Sequence, residues 1–308
     1  MYSVNVITWI FCETIIMRIG ALDFMPDIDN LTMDLDKISK IIFERHRKDI
    51  SVFDIGFLQK TLDRRINVTE AMSALEYISL LQVDALESSC FLKALSNTFS
   101  QFFRDPLAFA YLEQQILPCL AAQKTGGEIR IWSAGSAAGQ EAFSLAMLIS
   151  DFSEMRNYDI RYRIIATDIS TDALNLAKSA VFDESAIQNV KFKHFNKYFK
   201  AYKSTYALVP EIKAKIVFAA YDLLDSSTAF PPESIYGGFD IVMCSNLLIY
   251  YRPYIRKLIV CKLRNSLSEG GYLITGDTEK ALFENPFLTN PVSAPSNVFR
   301  NLNGRIPG

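Results

Sequence analysis

A chain of 308 residues, half of them hydrophobic and 21% charged, is long and apolar enough to bury one large core or two ordinary ones, and its balance is not that of a disordered polymer. The formal net charge of −2 supplies no global basic field, so neither nucleic acid nor an anionic membrane surface is an expected partner. Five cysteines without paired spacing, and two histidines far apart (His46 and His194), argue against a disulfide framework and a metal centre; no metal is expected, and the cysteines suit a reducing compartment.

Residues 1–33 read as a leader of uncertain role. Val4 to Cys12 is mostly apolar, but Glu13 and Arg18 interrupt the run well short of the ~20 residues that a membrane span needs. The basic residues that open a secretory signal are missing, and no membrane insertion is expected. Residues 34–97 read as a small all-helical domain. Ile38, Ile41 and Ile42, then Phe57, Leu58 and Leu62, recur at spacings of three and four. Asn67-Val-Thr-Glu70 offers a helix start at Thr69, ahead of Leu75, Ile78 and Leu81.

The character changes after Gly126-Gly127. Ile129 to Trp132 reads as a strand, Gly135 to Gly139 as a small-residue loop, and Glu141 to Ser150 as a helix. A second strand, Tyr162 to Ala166, ends in Thr167-Asp168, and a helix follows from about Asp172 to Lys178. This order is the first half of a doubly wound α/β sheet. An insert at about residues 190–220, rich in Lys, Phe and Tyr, reads as a small β subdomain with strands at Tyr206 to Val209 and Lys215 to Ala219. Phe239 to Cys244 is a buried-type strand. Pro253 suits the first turn of a helix running to about Leu267, Gly270-Gly271 ends it, and Tyr272 to Thr275 is the next strand.

Two features of this half point to a ligand. The loop Ser133 to Gly139, centred on Gly135, lets backbone approach a bound group where the helix N-terminus offers free N–H groups. It has neither a lysine nor the G-x-G-x-x-G spacing, so phosphate binding is unsupported. Asp168, at the end of the second strand, can accept hydrogen bonds from ribose hydroxyls; its alternative role is a helix N-cap, which Ser170, Thr171 or Asp172 can also fill. Loop and acid on one sheet edge favour a nucleoside without phosphates.

Four stretches, in order, carry a family likeness. Thr98-Phe-Ser-Gln-Phe-Phe-Arg-Asp105 resembles the N-x-T-x-F-F-R segment of the CheR-type chemotaxis receptor methyltransferases. Trp132-Ser-Ala-Gly-Ser-Ala-Ala-Gly-Gln-Glu-Ala-Phe-Ser144 is similar to their W-S-A-(A/G)-x-S-T-G-E-E-P-Y-S. Ala166-Thr-Asp-Ile-Ser170 resembles A-(S/T)-D-I-(D/S), and Cys244-Ser-Asn-Leu-Leu-Ile-Tyr-Tyr251 resembles C-R-N-V-(L/M)-I-Y-F. The likeness extends over about residues 34–285.

The resemblance implies an α/β fold: a doubly wound, Rossmann-like S-adenosylmethionine methyltransferase sheet over residues 98–308, with the β insert and the N-terminal all-helical domain. It implies a cytoplasmic enzyme that moves a methyl group from S-adenosyl-L-methionine to glutamate carboxylates on the cytoplasmic helices of chemotaxis receptors, leaving S-adenosyl-L-homocysteine. Arg104 and Tyr250 match the catalytic positions, Arg104 near the methyl donor and the incoming carboxylate, Tyr250 orienting that carboxylate. Thr98, Ser100, Arg104 and Gly135 match cofactor-binding positions. Glu141 matches the glutamate facing the cofactor's amino-acid end, Asp168 the ribose acid, Asp222 and Leu223 the pair beside adenine, and Ser245 and Asn246 the residues after the fourth strand.

Departures from the family pattern are Thr98 and Asp222 for asparagine, Ser245 for arginine, Gln140 for glutamate, and Gly276-Asp-Thr-Glu279 for G-H-S-E. They leave open a cofactor-binding module with weak turnover, or a methyltransferase of this fold with another substrate. Lys48, Lys60, Arg64 and Arg65 offer a basic face to an acidic helical bundle, the alternative being an ordinary solvated face. Ala201-Tyr-Lys-Ser-Thr-Tyr206 lacks the glycine of the loop on which some family members dock a receptor tail, so no such docking is expected.

Overall fold

The computed structural model describes residues 26–96, 100–124, 126–234, 238–279, 290–291 and 297–301. Most of the leader and Thr98 therefore lie outside the described residues. The chain divides into two compact units, one made of residues up to Ser51 with Leu58–Phe91, the other of Val52–Phe57 with Leu92 onward.

The first unit is helical. Its elements are α1 (Pro26–His46), most of α2 (Ile55–Thr69), α3 (Ala74–Val83) and the start of α4 (Ala85–Leu95). Ile38, Ile42, Leu58, Leu62, Tyr77, Leu81 and Phe91 are buried, so the spacing of three and four found the core face. Thr69 ends a helix instead of starting one: its hydroxyl donates back to the Arg65 carbonyl at 2.8 Å. Ser73 starts the next, its hydroxyl accepting from Glu76 N at 3.2 Å while the Glu76 carboxylate accepts from Met72 N at 2.7 Å. Lys48, Lys60 and Arg64 are exposed, whereas Arg65 turns to the buried Glu87, which also accepts from the Tyr77 hydroxyl at 2.6 Å.

The second unit is built on a seven-stranded sheet. Its first strands are β1 (Glu128–Ala134) and β2 (Arg161–Asp168), separated by α7 (Gln140–Arg156); α5 (Pro106–Tyr111), a π turn (Leu112–Ile116) and α6 (Leu117–Gln123) precede them. After α8 (Thr171–Ser179) the chain makes a separate three-stranded antiparallel sheet from β3 (Val181–Phe182), β4 (Phe199–Tyr202) and β5 (Thr205–Leu208), with α9 (Phe192–Tyr198) leading into β4. A short turn, α10 (Pro210–Lys213), leads to β6 (Ile216–Ala220). Then come β7 (Phe239–Cys244), α11 (Pro253–Asn265), β8 (Leu267–Thr275), β9 (Asn290–Pro291) and β10 (Val298–Arg300).

The main sheet runs β6-β2-β1-β7-β8-β10-β9, parallel from β6 to β8 and antiparallel at β10 and β9. Alternation along β1 sends Ile129 and Ile131 to one face, with Phe143 and Met147 of α7, and Trp132 and Ala134 to the other, with Ile259 and Leu263 of α11. Both faces are covered, which is why the inner strands read as nearly continuous apolar runs. The result is the expected Rossmann-like α/β sheet.

Two boundaries differ from the sequence reading. The sequence pattern puts Lys215 to Ala219 in the β insert, but Ile216–Ala220 pairs in parallel with β2 and belongs to the main sheet, while the small sheet begins earlier, at Val181. Gly270-Gly271 does not stop a helix: α11 ends at Asn265, the Ser266 hydroxyl donates to Leu263 O at 2.6 Å, and the glycines lie inside β8. The small sheet is tied to α7 through Asp151, whose buried carboxylate accepts from Lys193, Lys197, His194 and the Tyr198 hydroxyl. Burial opposes its ionisation, but those donors outweigh burial and hold its carboxyl well below the usual carboxylate range.

Candidate functional site

The sheet order reverses between β1 and β7. Strands following β1 add on one side as far as β6, and the chain then crosses to β7 on the other. In open α/β sheets the crevice beyond the strand ends at that reversal is where ligands bind. The loops that leave β1, β2, β6, β7 and β8 carry the residues below.

After β1, Gly135 adopts φ +73°, and the Gly135 and Ser136 amides both donate to Thr167 O at 2.8 Å. A Cβ on Gly135 would come within 2.9 Å of Leu247 Cδ2, so the β1 and β7 loops approach too closely there for a side chain. Ser136 is 1% exposed and its hydroxyl has no partner among the described residues.

Asp168 ends β2. Its Oδ2 accepts from Ala137 N at 2.9 Å and its Oδ1 from Ser170 N at 2.8 Å. Ser170, not Asp168, caps α8, its hydroxyl accepting from Ala173 N at 3.2 Å. A carboxylate accepts about four hydrogen bonds, and these backbone donors do not use them all, so Asp168 can still accept from a hydroxyl. Burial raises its pKa, partly countered by those backbone bonds. Tyr221 N donates to Asp168 O at 3.0 Å, which brings Asp222 and the buried Leu223 beside it. One Asp222 oxygen accepts from Leu224 N at 2.8 Å.

Glu141 stands in the first turn of α7 and accepts from the Ser133 hydroxyl at 2.7 Å. Desolvation pushes its carboxyl up to about 7; Ser133, Ser245 and the Arg104 charge pull it down, and Glu279 pushes it up. Those four residues, from four different loops or strands, thus share one electrostatic neighbourhood with Glu141.

Arg104 lies on the connection between α4 and α5, and its two neighbours fix that connection. Phe103 takes a left-handed φ of +50°, its amide donates to the Ser144 hydroxyl at 3.0 Å, and its ring stacks on His194 at 4.9 Å. Asp105 caps α5 at Ala108 N (3.2 Å) and accepts from Asn297 Nδ2 at 2.7 Å. Phe102 is wholly buried, between Phe182 and Phe199. Arg104 itself is exposed, and Ser100 is half-buried earlier on the same connection.

Tyr250 closes a 3-10 turn, Leu248–Tyr250, that follows Ser245 and Asn246. Its ring lies 4.7 Å from that of Phe57, and its carbonyl accepts from Asp54 N at 2.8 Å. Tyr251 stacks on Phe53 at 5.2 Å. The segment Val52–Phe57 thereby belongs to this site, which no sequence pattern indicated. Glu279 is the other residue of this neighbourhood without a clear sequence signature. Its carboxylate, wholly buried, accepts from the backbone of the Asn246–Ile249 turn. Its only signal in the sequence was its place in the Gly276 to Glu279 stretch.

Glu141, Asp168 and Asp222 are acceptors, and Arg104 is the cation of the set. Carboxylates repel polyphosphate but suit a ligand with hydroxyls and positive charge. The buried Ser136 hydroxyl, without a partner among the described residues, is a further group able to make a hydrogen bond there. S-adenosylmethionine, a nucleoside with a sulfonium and an ammonium and no phosphate, fits this donor and acceptor set.

Comparison with known proteins agrees with that chemistry. Residues 98–297 match the family described as CheR methyltransferase, SAM binding domain. Chemotaxis protein methyltransferase 1 of Pseudomonas aeruginosa is 33% identical over 190 residues, covering 60% of this chain and 67% of that protein. The chemotaxis protein methyltransferase of Borreliella burgdorferi is 28% identical over 257 residues, covering 81% and 89%. An uncharacterized 104.1 kDa protein of Rhodobacter capsulatus is 32% identical over 225 residues, 73% of this chain, and the match spans only 23% of that longer protein. The chain belongs to the CheR family of methyltransferases, through a SAM-binding domain at residues 98–297.

Proposed function

We propose that this chain methylates glutamate side chains on the cytoplasmic helices of chemotaxis receptors, in the cytoplasm, with S-adenosyl-L-methionine as donor. The observation that carries the reading is the family match over residues 98–297, with Arg104 on the connection before α5 and its charge near the buried Glu141. A guanidinium at the edge of an acid-lined pocket is suited to guide one more carboxylate in. No described helix is long and apolar enough to cross a membrane.

The cofactor supplies an electrophilic methyl on a positively charged sulfur. A glutamate, with a reference pKa of about 4.3, is already ionised at neutral pH, so its oxygen needs no general base. A carbon–oxygen bond forms, the carbon–sulfur bond breaks with its electron pair passing to sulfur, and no proton moves. The protein's task is alignment and exclusion of water, which is where proximity contributes most of its several kcal/mol. Arg104 holds the incoming carboxylate, and the Tyr250 hydroxyl orients it. Arg104 must hold loosely, since a tight ion pair with the reactant would stabilise it more than the transition state. On the cofactor side, Asp168 takes the ribose hydroxyls and Glu141 the amino-acid end; Thr98, Ser100, Gly135, Leu223, Ser245 and Asn246 line the path by the family likeness.

The test is transfer of a tritiated methyl group to receptor fragments. Arg104→Ala and Tyr250→Phe should each lower kcat/KM by roughly 10-fold to 1,000-fold, the range seen when a single positioning or charge-stabilising contact is lost. Methylation that survives the double replacement would defeat the assignment. No docking of a receptor tail peptide is proposed, because the β4–β5 hairpin turns at Lys203 (φ +56°), where a glycine is absent. Saturable binding of a tail peptide would contradict that.

A second reading rests on Asp222. A carboxylate cannot donate to adenine where an amide would, and here it is engaged with Leu224 N. A cofactor-binding module with weak turnover would bind S-adenosylmethionine in calorimetry but transfer little or no methyl to any receptor fragment.

A further inference from the structure

Glu279 has no part in the chemistry above, yet its carboxylate is among the most fully engaged groups in the second unit. Oε2 accepts from Asn246 N and Gly276 N, both at 2.9 Å; Oε1 accepts from Leu248 N at 2.6 Å and, at 3.4 Å, from Ile249 N. Glu279 is 0% exposed. A buried carboxylate is costly unless its lone pairs are used, and here backbone N–H groups use them. Three of the donors lie in Asn246–Ile249, the stretch that leads into Tyr250.

That stretch has little internal support. Asn246 sits at φ +59°, and only a single 3-10 turn follows. The two segments also touch: a Cβ on Gly276 would come within 2.9 Å of Asn246 N, and Asn246 Nδ2 donates to Thr278 Oγ1 at 3.2 Å. The end of β8, which leads into Gly276 and Glu279, is linked in the other direction to the neighbour of Arg104. Thr275 N donates to Asn297 O at 3.1 Å, and Asn297 Nδ2 donates to Asp105, the neighbour of Arg104, at 2.7 Å.

We propose that Glu279 is a positioning residue: a buried clamp that fixes the Asn246–Ile249 peptides and, through them, the phenol of Tyr250 relative to Arg104. This role rests on Tyr250 being the residue that orients the reacting carboxylate. The clamp requires two acceptor oxygens. A glutamine has one, and its amide hydrogens would face the backbone donors; an aspartate keeps both oxygens but is one methylene shorter.

The experiment uses the full chain with Glu279→Gln and Glu279→Asp, each alone and combined with Tyr250→Phe. Hydrogen exchange of the 245–250 peptide reads the clamp without reference to activity, and should accelerate at least about tenfold in Glu279→Gln, with less change in Glu279→Asp. Methyl-transfer kinetics read the consequence. Glu279→Gln should lower kcat about tenfold or more in the parent chain, but only about twofold when Tyr250 is already phenylalanine, because residues that act as a unit are not additive. Unchanged exchange, or equal losses in both backgrounds, would overturn the proposal. So would failure of both Glu279 variants to fold, which would make this carboxylate a fold determinant only. If the parent chain methylates no receptor fragment, the receptor reading falls by itself, and the exchange measurement still decides the clamp.

Discussion

At Glu141 burial and charge act against each other, and the balance falls near neutrality. Its carboxyl, pushed up to about 7 by desolvation, is largely ionised above that pH and largely protonated below it. A cationic ligand pairs only with the ionised form, so binding below pH 7 must release a proton. Cofactor affinity should therefore fall as pH drops from 7 to 6, with proton release visible by calorimetry in buffers of different ionisation heat. Glu141→Gln should remove that slope. Stability runs the other way: with a folded value raised from 4.5 to about 7, this carboxyl contributes stability that is full below 4.5 and lost as pH rises through 7. The place of Asp168 at the end of a strand was legible from sequence, and Ser170 takes the helix cap that was its competing role. Glu279 had only its place at the end of the Gly276 to Glu279 stretch to mark it, because a buried acid whose partners are all backbone N–H groups has no pattern of its own.

Among the elements, the sheet strands were the easiest to read. Phe239–Cys244 came out with its bounds intact, and β1 and β2 within a few residues, since strands buried on both faces have no polar interruption. A short apolar run does not say which sheet it joins, and so Ile216–Ala220 was placed in the insert. Helix starts in the first unit were harder, because Thr69 and Ser73 are both acceptable caps and only the geometry separates them. The Ser73 cap has a measurable worth. Ser73→Ala should cost about 1 kcal/mol, the usual loss for such a cap, and lower the thermal midpoint by a few degrees. An unchanged midpoint would mean that α3 is held by its packing alone.

For the molecule as a whole, the family match and the physical unit do not begin at the same place. The match starts at residue 98, yet Val52–Phe57 belongs to the second unit. There Phe57 packs on Tyr250, Phe53 on Tyr251, and Asp54 pairs with Arg256 at 3.4 Å while its amide holds the Tyr250 carbonyl. Aromatic pairs contribute about 0.5–1.5 kcal/mol beyond the area they bury. Phe57→Ala in the full chain should thus lower kcat several-fold with little change in the KM for cofactor; equal kcat in variant and parent would show that Tyr250 keeps its place unaided.

The six-residue excursion from Val52 to Phe57 also changes how sequence variation here should be interpreted. A natural polymorphism or a one-residue deletion around position 54 lies some two hundred positions before Tyr250, in a stretch that looks like a connector between helices. Its phenotype should nonetheless resemble that of a lesion in the reaction centre, and a library meant to tune turnover would do well to randomise those positions together with the turn they brace.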